Sequence, residues 1–130
     1  MSWQAYVDNN LVGTGFVSQG AILGLDGSTW ASSPGLCIAP DQIKPVADGL
    51  AGILDLGELL KKGLTVNFKK YLVVSPPDSK IITGRGYGDG IVITKTKHSI
   101  IVGFHYDSMA PGKCASAVEK LADELIELGY

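Results

Sequence analysis

The sequence predicts an α+β domain in which an antiparallel β-sheet carries the N- and C-terminal helices packed together on one face. Three observations lead to this prediction. Helical patterns open and close the chain, and short strand patterns fill most of its second half. The 17 glycines, nearly twice the usual share, indicate short elements joined by tight turns. The length of 130 residues suits one domain, residues 1–130, and leaves no room for a second well-packed core.

The N-terminal segment is predicted to form a helix from Trp3 to Leu11. Ser2 precedes it, and serine is a favourable N-cap because its hydroxyl accepts a hydrogen bond from a backbone N–H of the first turn. At about 100° per residue, Trp3 and Tyr6 lie at one edge of the apolar arc, with Val7 and Leu11 at the other. This arc is expected to pack against the sheet.

A β-hairpin is predicted within residues 21–31. Asp26-Gly27 at its centre suits a two-residue type I′ turn, in which both residues have positive φ. This turn pairs Leu23 with Trp30 and places both side chains on the same face of the sheet.

The middle of the chain changes from helical to strand patterns after Gly63. Helical pieces are expected between Asp41 and Leu60, where Pro45 lies near a helix start and several glycines weaken the pattern. Turn-forming segments then separate five predicted strands. These strands lie near Leu64–Phe68, Tyr71–Ser75, Ile81–Thr83, Ile91–Thr96 and Ile100–Tyr106.

The last helix has the clearest pattern. Pro111 opens it, apolar residues follow at alternating spacings of four and three from Cys114 to Leu128, and Gly129 is a favourable C-terminal cap. Its lysines lie near the N-terminal end and its acids near the C-terminal end, which is the reverse of what the helix dipole favours. The exposed face of this helix is therefore a candidate for contact with a partner.

Composition excludes several classes of protein. Apolar residues make up 45% of the chain and charged residues 18%, so disorder is not expected. Glycines interrupt the longest uncharged stretch, residues 9–25, and no apolar signal segment opens the chain, so a cytoplasmic protein is expected. Cys37 and Cys114 form no zinc motif and His98 and His105 no metal-binding pair, so neither a metal nor a cofactor is expected.

The charges are unevenly distributed. Residues 1–60 carry one base and six acids, residues 61–120 carry ten bases and four acids, and residues 121–130 add three acids. A basic face built from the middle block would steer an acidic partner. The alternative is a solvated sheet surface whose lysines prevent edge aggregation. Nucleic acid is a weaker interpretation, because the ten bases are spread thinly and only one is arginine.

No motif for catalysis is found. The glycines of Gly84–Gly90 fall on every second position and precede a predicted strand, so no helix N-terminus follows to hold a phosphate. The sequence also lacks a phosphate-binding lysine loop, a nucleophile elbow and a close Cys–His pair. The residues therefore favour a binding module over an enzyme, and no catalytic residue is predicted.

Aromatic residues suggest what such a module could bind. Trp3, Tyr6, Trp30 and Tyr130 could cluster if both terminal helices cover one face of the sheet. Flat aromatic surfaces receive the rings of a polyproline II helix, and an indole N–H can donate to its free carbonyls. The alternative is that these side chains are core between helix and sheet. Their spacing alone does not decide between the two.

The sequence resembles the profilins, specifically the short profilins of amoebae and plants. The resemblance runs from end to end of the chain, and an N-terminal Trp-x-x-Tyr combined with an Asp-Gly-x-x-Trp hairpin is quite specific. The matching segments are Ser2–Asp8, Asp26–Ala31, Gly63–Thr65, Thr94–Thr96, Pro111–Cys114, Val118–Asp123 and Leu125–Ile126.

This resemblance implies a central antiparallel sheet with the terminal helices on one face and small helices on the other. It implies a monomeric cytoplasmic and cytoskeletal protein that binds monomeric actin, eases its nucleotide exchange and delivers it to filament ends. The implied further partners are proline-rich segments of actin-assembly proteins such as formins, and acidic phosphoinositide headgroups. The implied sites are Trp3, Tyr6, Trp30, Leu125 and Tyr130 for polyproline; Lys70, Val73, Arg85, Lys113 and Lys120 for actin; and Lys69, Arg85 and Lys95 for phosphoinositides.

One position departs from the resemblance. Profilins of this kind usually carry an aromatic residue where this chain has Glu124, which bears on the strength of polyproline binding. The competing interpretation of the whole chain is a small α+β sensory domain that encloses a small molecule beneath its sheet. An interior cavity would favour the sensory domain, whereas tryptophans at the surface would favour the groove.

Overall fold

The computed structural model describes residues 2–51, 57, 61, 63–67, 69–75, 80–106 and 108–130. Helix α1 (Trp3–Ala5) continues directly into a π-helical segment (Tyr6–Leu11) and a 3-10 turn (Val12–Thr14). Two longer helices follow, α2 (Pro40–Leu50) and α3 (Pro111–Glu127). The strands are β1 (Gln19–Gly24), β2 (Thr29–Ser32), β3 (Leu64–Val66), β4 (Lys69–Val73), β5 (Ile81–Arg85), β6 (Asp89–Lys95) and β7 (Ser99–Tyr106).

The seven strands of the described residues form one antiparallel sheet in the order β2-β1-β7-β6-β5-β4-β3. Strands β5, β6 and β7 follow one another in sequence and in space. The first strand, β1, then pairs with β7, so the beginning of the chain joins the end of this meander. The arrangement brings the N-terminal helix and α3 together.

Each face of the sheet carries its own core. In β7, Ile100 and Val102 point towards α2, whereas Ile101 between them points towards the terminal helices, as strand alternation requires. Ile43 and Val46 of α2 complete the first core. The second core joins residues of the N-terminal helix and α3 to the other face. The predicted α+β fold, with the terminal helices on one face, is confirmed.

The hairpin register differs from the predicted one. Ile22 pairs with Ala31 but Leu23 pairs with Thr29, so Trp30 is the extra residue of a β-bulge. Gly27 has φ of 89° whereas Asp26 does not adopt positive φ, so the connection is not a type I′ turn. The bulge turns Trp30 to the face of the terminal helices, opposite Leu23.

The N-terminal helix is wider than predicted. Ser2 caps it as expected, since its Oγ accepts from the N–H of Ala5 at 3.1 Å. Only the first turn is α-helical, and the N–H of Val12 reaches back to the carbonyls of Val7 and Asp8. Apolar residues four apart face one side in both kinds of helix, so the sequence pattern could not distinguish them.

The ends of the remaining elements differ from the predicted ones. Helix α2 accounts for the first part of the helical stretch predicted up to Leu60, and residues 52–56 and 58–60 lie outside the described residues. Strand β3 ends at Val66, because Asn67 has positive φ of 55°, and Phe68 lies outside the described residues. Strand β5 runs on through Gly84 and Arg85 into the predicted glycine-rich loop. No helix of the described chain is long and apolar enough to span a membrane.

Candidate functional site

An aromatic cluster lies where the two terminal helices meet strand β2. The ring of Trp3 contacts three others, with centroid distances of 4.8 Å to Trp30, 5.0 Å to Tyr130 and 5.9 Å to Tyr6. Trp3, Tyr6 and Trp30 are half-buried, and Tyr130 is 44% exposed. The cluster therefore presents aromatic surface to solvent while its inner edges contact the core.

Tyr130 is held in this cluster by the end of helix α3. Gly129 has φ of 94°, and its N–H donates to the carbonyl of Ile126 at 3.0 Å. The N–H of Tyr130 donates to the carbonyl of Leu125 at 2.8 Å, which completes a Schellman motif. The carbonyl of Tyr130 accepts from the N–H of His98 at 2.6 Å, so the turn between β6 and β7 fixes it from the other side.

Trp30 takes its place because of the hairpin bulge and a glycine. Its Nε1 lies 3.0 Å from the position that a Cβ of Gly24 would occupy, so any side chain at residue 24 would displace the indole. Gln4 ties the N-terminal helix to the same strand, since its Nε2 donates to the carbonyl of Ser32 at 3.0 Å. The backbone that carries each tryptophan is therefore held in place, by the Gln4 hydrogen bond for Trp3 and by the hairpin for Trp30.

Leu125 forms the floor of the cluster and not its lining. Its side chain is fully buried with Val7 and Leu121, and Trp3, Tyr6 and Trp30 pack against this core. A polyproline ligand would therefore meet the rings above Leu125, and a direct role for Leu125 in binding stays a prediction. The four aromatic residues are brought together as the sequence predicted.

A second surface lies on strands β4 and β5, which are separated from β2 by three strands or more in the sheet. Lys70 and Arg85 are exposed and Val73 is half-buried. A groove of about 520 Å³ runs from Val74 and Arg85 to Gly112 and Ala115, so it joins these strands to the start of α3. Sequence reasoning missed two exposed apolar side chains beside Arg85, Leu72 at 69% and Val74 at 58%. The unbroken apolar run from Tyr71 to Val74 could have indicated them. Successive side chains of a strand point to opposite faces, so a run of apolar residues places some of them on each face.

Two further expected actin residues are lysines of α3. Lys113 and Lys120 are both exposed, and Lys113 Nζ lies 4.9 Å from the centroid of the Phe16 ring. Lys70, Arg85, Lys113 and Lys120 are called the basic surface below. Of the five residues expected for actin, Arg85 lines the groove, Lys113 follows Gly112 at its far end, and Val73 packs against the core on the α2 face. Their joint role in an actin site stays a prediction.

A buried carboxylate stands behind this surface. Oδ2 of Asp89 accepts from the hydroxyl of Tyr71 at 3.0 Å and from Lys69 Nζ at 3.3 Å, whereas Oδ1 is buried with no hydrogen-bond partner among the described residues. Burial and the neighbouring carboxylate raise the pKa of the Tyr71 hydroxyl well above its usual value. No sequence pattern indicates this network, because Asp89 lies in a glycine-rich stretch that is typical of an exposed loop.

The three residues expected for phosphoinositides are not brought together. Arg85 lies beside the start of β6, where it pairs with Gly90, whereas Lys95 is the last residue of that strand. Lys69 is engaged with Asp89, and Lys95 Nζ donates to the carbonyl of Thr96 at 3.0 Å. The phosphoinositide role of these three residues stays a prediction. Among the described residues, no three His, Cys, Asp or Glu side chains are grouped as a metal site.

An exposed aromatic cluster and a separate basic surface on one α+β fold define a small binding protein. The family model for profilin matches residues 1–130, and the chain belongs to the profilin family. Profilins are actin-binding regulators of the cytoskeleton. This assignment replaces the alternative of a sensory domain.

Relatives and solved structures agree with this assignment. The chain is 42% identical over 130 residues to Profilin-1B of Acanthamoeba castellanii and to Profilin-A of Physarum polycephalum, and all of both chains is covered in each case. The crystal structure of A. castellanii profilin II has a TM-score of 0.90 at 37% identity, covering 99% of this chain and 100% of that one. Mouse profilin IIa in complex with a double repeat from the FH1 domain of mDia1 shares the fold, with a TM-score of 0.78 at 21% identity and full coverage of both chains.

Proposed function

We propose that this profilin binds monomeric actin and, at a separate site, proline-rich segments of actin-assembly proteins such as formins. It acts in the cytoplasm as a monomer, eases nucleotide exchange on actin and delivers subunits to growing filament ends. The proposal assigns no catalytic step to the domain. The aromatic cluster is the observation that carries it.

The cluster has the chemistry that a polyproline II helix requires. Trp3, Trp30 and Tyr130 offer partly exposed ring surface, and the rings of Trp30 and Tyr130 each lie within about 5 Å of the Trp3 ring, so adjacent prolines can pack against them. No hydrogen bond joins the indole N–H of either tryptophan to another residue in the described part of the chain, so both remain available to a ligand carbonyl. The ligand is already stiff, and little conformational entropy opposes binding. The mouse profilin IIa complex, which holds a formin repeat, supports the same use of this fold.

The basic surface has the chemistry for the actin site. Lys70, Arg85, Lys113 and Lys120 are exposed and would orient encounter with an acidic protein. Leu72 and Val74 supply exposed apolar area beside the groove, whereas the side chain of Val73 packs against the core on the other face of the sheet. An interface of apolar area with a charged rim is the usual anatomy of a specific protein contact.

The two sites are formed by different parts of the fold. The cluster uses the hairpin, the N-terminal helix and the end of α3, whereas the basic surface uses β4, β5 and the start of α3. One molecule can therefore hold both partners at once. Acidic phosphoinositides would bind Lys69 and Arg85 at the basic surface and compete with actin there, while Lys95 would contribute a separate contact.

The test is retention on immobilised polyproline followed by addition of purified monomeric actin. The wild-type protein should remain on the beads and bring actin with it. Trp3→Ala should pass through the beads yet still bind actin in solution, and Arg85→Glu should remain on the beads without actin. Failure of the wild-type protein to bind polyproline would overturn the proline site, and loss of both activities in either folded variant would overturn the separation of the sites.

A further inference from the structure

The segments of the chain that form the aromatic cluster carry acids and neither lysine nor arginine. Residues 2–43 and 121–130 contain no lysine or arginine. The acids of the hairpin, the N-terminal helix and the end of α3 are Asp8, Asp26, Asp123, Glu124 and Glu127. Two of them, Asp26 and Glu124, lie near the edges of the cluster.

Asp26 lies beside the indole of Trp30. Its Oδ1 and the Nε1 of Trp30 lie 2.8 Å and 3.0 Å from the single point that a Cβ of Gly24 would occupy. The N–H and the hydroxyl of Ser28 donate to Oδ1 at 3.0 Å and 2.6 Å, which leaves Oδ2 for a ligand. These hydrogen bonds lower the pKa of Asp26, so its exposed carboxyl group is ionised at neutral pH. Lys44 also acts on this pKa but is itself paired with Asp48 at 3.1 Å.

Glu124 lies beside the part of the cluster formed by the N-terminal helix. Its Oε2 accepts from Nδ2 of Asn10, one turn beyond Tyr6, at 3.3 Å. The next residue, Leu125, is the buried floor on which Trp3 and Tyr6 rest. Asn10 and Glu124 are both half-buried, and their contact holds this carboxylate at the seam between the two terminal helices.

Besides Lys44, bases lie near the cluster at Tyr130. His98, whose N–H binds the Tyr130 carbonyl, follows Lys97 in the turn between β6 and β7, and both side chains are exposed. The cluster is therefore negative beside Trp30 and Tyr6 and has bases beside Tyr130. A neutral polyproline helix would gain nothing from this field.

We propose that the cluster prefers proline-rich segments that carry lysine or arginine next to their prolines. This inference rests on the proposed proline site and deepens it. Asp26 and Glu124 would each receive a ligand cation while the adjacent rings hold the prolines. Exposed ion pairs contribute about 1.5- to 5-fold each in affinity, and salt weakens them over a Debye length of about 8 Å at physiological ionic strength.

The test is a titration with three kinds of peptide, each with ten prolines flanked by Lys-Lys, Gly-Gly or Glu-Glu. Each kind is made in two versions, with the flanking pair before or after the prolines. The wild-type protein should bind the better lysine peptide about 2- to 10-fold more tightly than the glycine peptide, and the glutamate peptide more weakly. This order should collapse in about 0.5 M salt. A lysine peptide without prolines should not bind.

Matched variants locate the preference. Asp26→Asn keeps the acceptor for Ser28, and Glu124→Gln keeps the acceptor for Asn10, so each removes charge with little change of shape. The double variant should bind all three peptides about equally, with nearly the affinity that the wild-type protein has for the glycine peptide. Glu119→Gln is the control, because Glu119 is an exposed acid of α3 one turn beyond Ala115, on the side of the helix that borders the groove.

The outcomes separate this inference from the function on which it rests. If the wild type binds the glycine peptide but shows no preference among the three, or if the double variant keeps the preference, the inference is wrong and the proline site stands. If the wild type binds no proline peptide of any charge, the proline site and the inference both fail.

Discussion

The rings of Trp3 and Tyr130 meet edge to face, with centroids 5.0 Å apart and planes at 80°, although nearly the whole chain separates the two residues. Trp3 also contacts Trp30 at 4.8 Å, so it is the common neighbour of rings from three different elements. The geometry of the cluster therefore depends on the N-terminal helix, the hairpin and the end of α3 together.

Tryptophan fluorescence should report ligand binding without background. The chain has two tryptophans, Trp3 and Trp30, and both belong to the cluster. We expect saturating polyproline to change essentially all of the emission, because either ring would be contacted or shielded by the ligand. A spectrum that stays constant while binding is complete by calorimetry would show that the ligand lies elsewhere.

Gly129→Ala should weaken both folding and polyproline binding. Gly129 has φ of 94°, a conformation that costs other residues about 1–2 kcal/mol. We expect the free energy of unfolding in urea to fall by about this amount, and polyproline affinity to fall because Tyr130 loses its fixed position. Gly112→Ala is the matched control, because both positions have open space for a Cβ but Gly112 lies in helix α3 without positive φ. Equal stability of the two variants would contradict the role of the Schellman motif.

Lys120→Glu should separate the two activities. Lys120 is exposed on α3, and reversing its charge removes a cation that steers an acidic partner. Actin association should slow by up to about tenfold at low salt, the lower end of the effect of electrostatic steering, and polyproline affinity should stay within error. Lys44→Glu on the opposite face of the sheet controls for net charge. If both variants slow association equally, the effect is one of total charge and not of this surface.

Stability should fall above pH 9 in a way that depends on Cys114. Burial raises the pKa of the Cys114 thiol to about 12, against about 8.5 in an unfolded chain. The folded protein keeps this proton where the unfolded chain releases it, so the contribution is complete below about pH 8.5 and is lost as the pH rises towards 12. The loss is at most about 1.4 kcal/mol per pH unit.

Urea unfolding at pH 8 and pH 10.5 measures this dependence. Cys114→Ala should show a smaller decrease in unfolding free energy between the two pH values than the wild type, although the variant is less stable at both. Cys37→Ala, which removes an exposed thiol, should behave like the wild type. Parallel decreases in all three proteins would mean that Cys114 ionises as readily in the folded state.

Periodicity predicted the order of the elements and the place of the terminal helices. The stripe of α3 from Cys114 to Leu121 and the residues Val7 and Leu11 of the N-terminal helix are buried in the same core, so both helices cover one sheet face. The convergence of the aromatic residues follows from that constraint. The same stripe contains Leu125, and its periodicity argues for the buried position that the structure shows.

The hairpin register could not be predicted in the same way. An Asp-Gly pair is compatible with a two-residue turn and with a longer connection that ends in a glycine of positive φ. The choice is made by tertiary packing, because the bulge at Trp30 moves the indole from the α2 face to the second core. The buried position of Asp89 likewise depends on Tyr71 and Lys69 from another strand, and no local pattern specifies it.

The contact between Trp3 and Tyr130 has a consequence for the order in which the protein opens and closes. It joins positions almost as distant in sequence as the chain allows, so it carries a larger loop-closure entropy than the hairpins of the sheet. The cluster should therefore be the last part to assemble and among the first to open locally. A bound proline segment would then hold the first and last helices together and oppose this local opening. It should slow amide exchange in the first and last helices together while leaving exchange in the central strands unchanged.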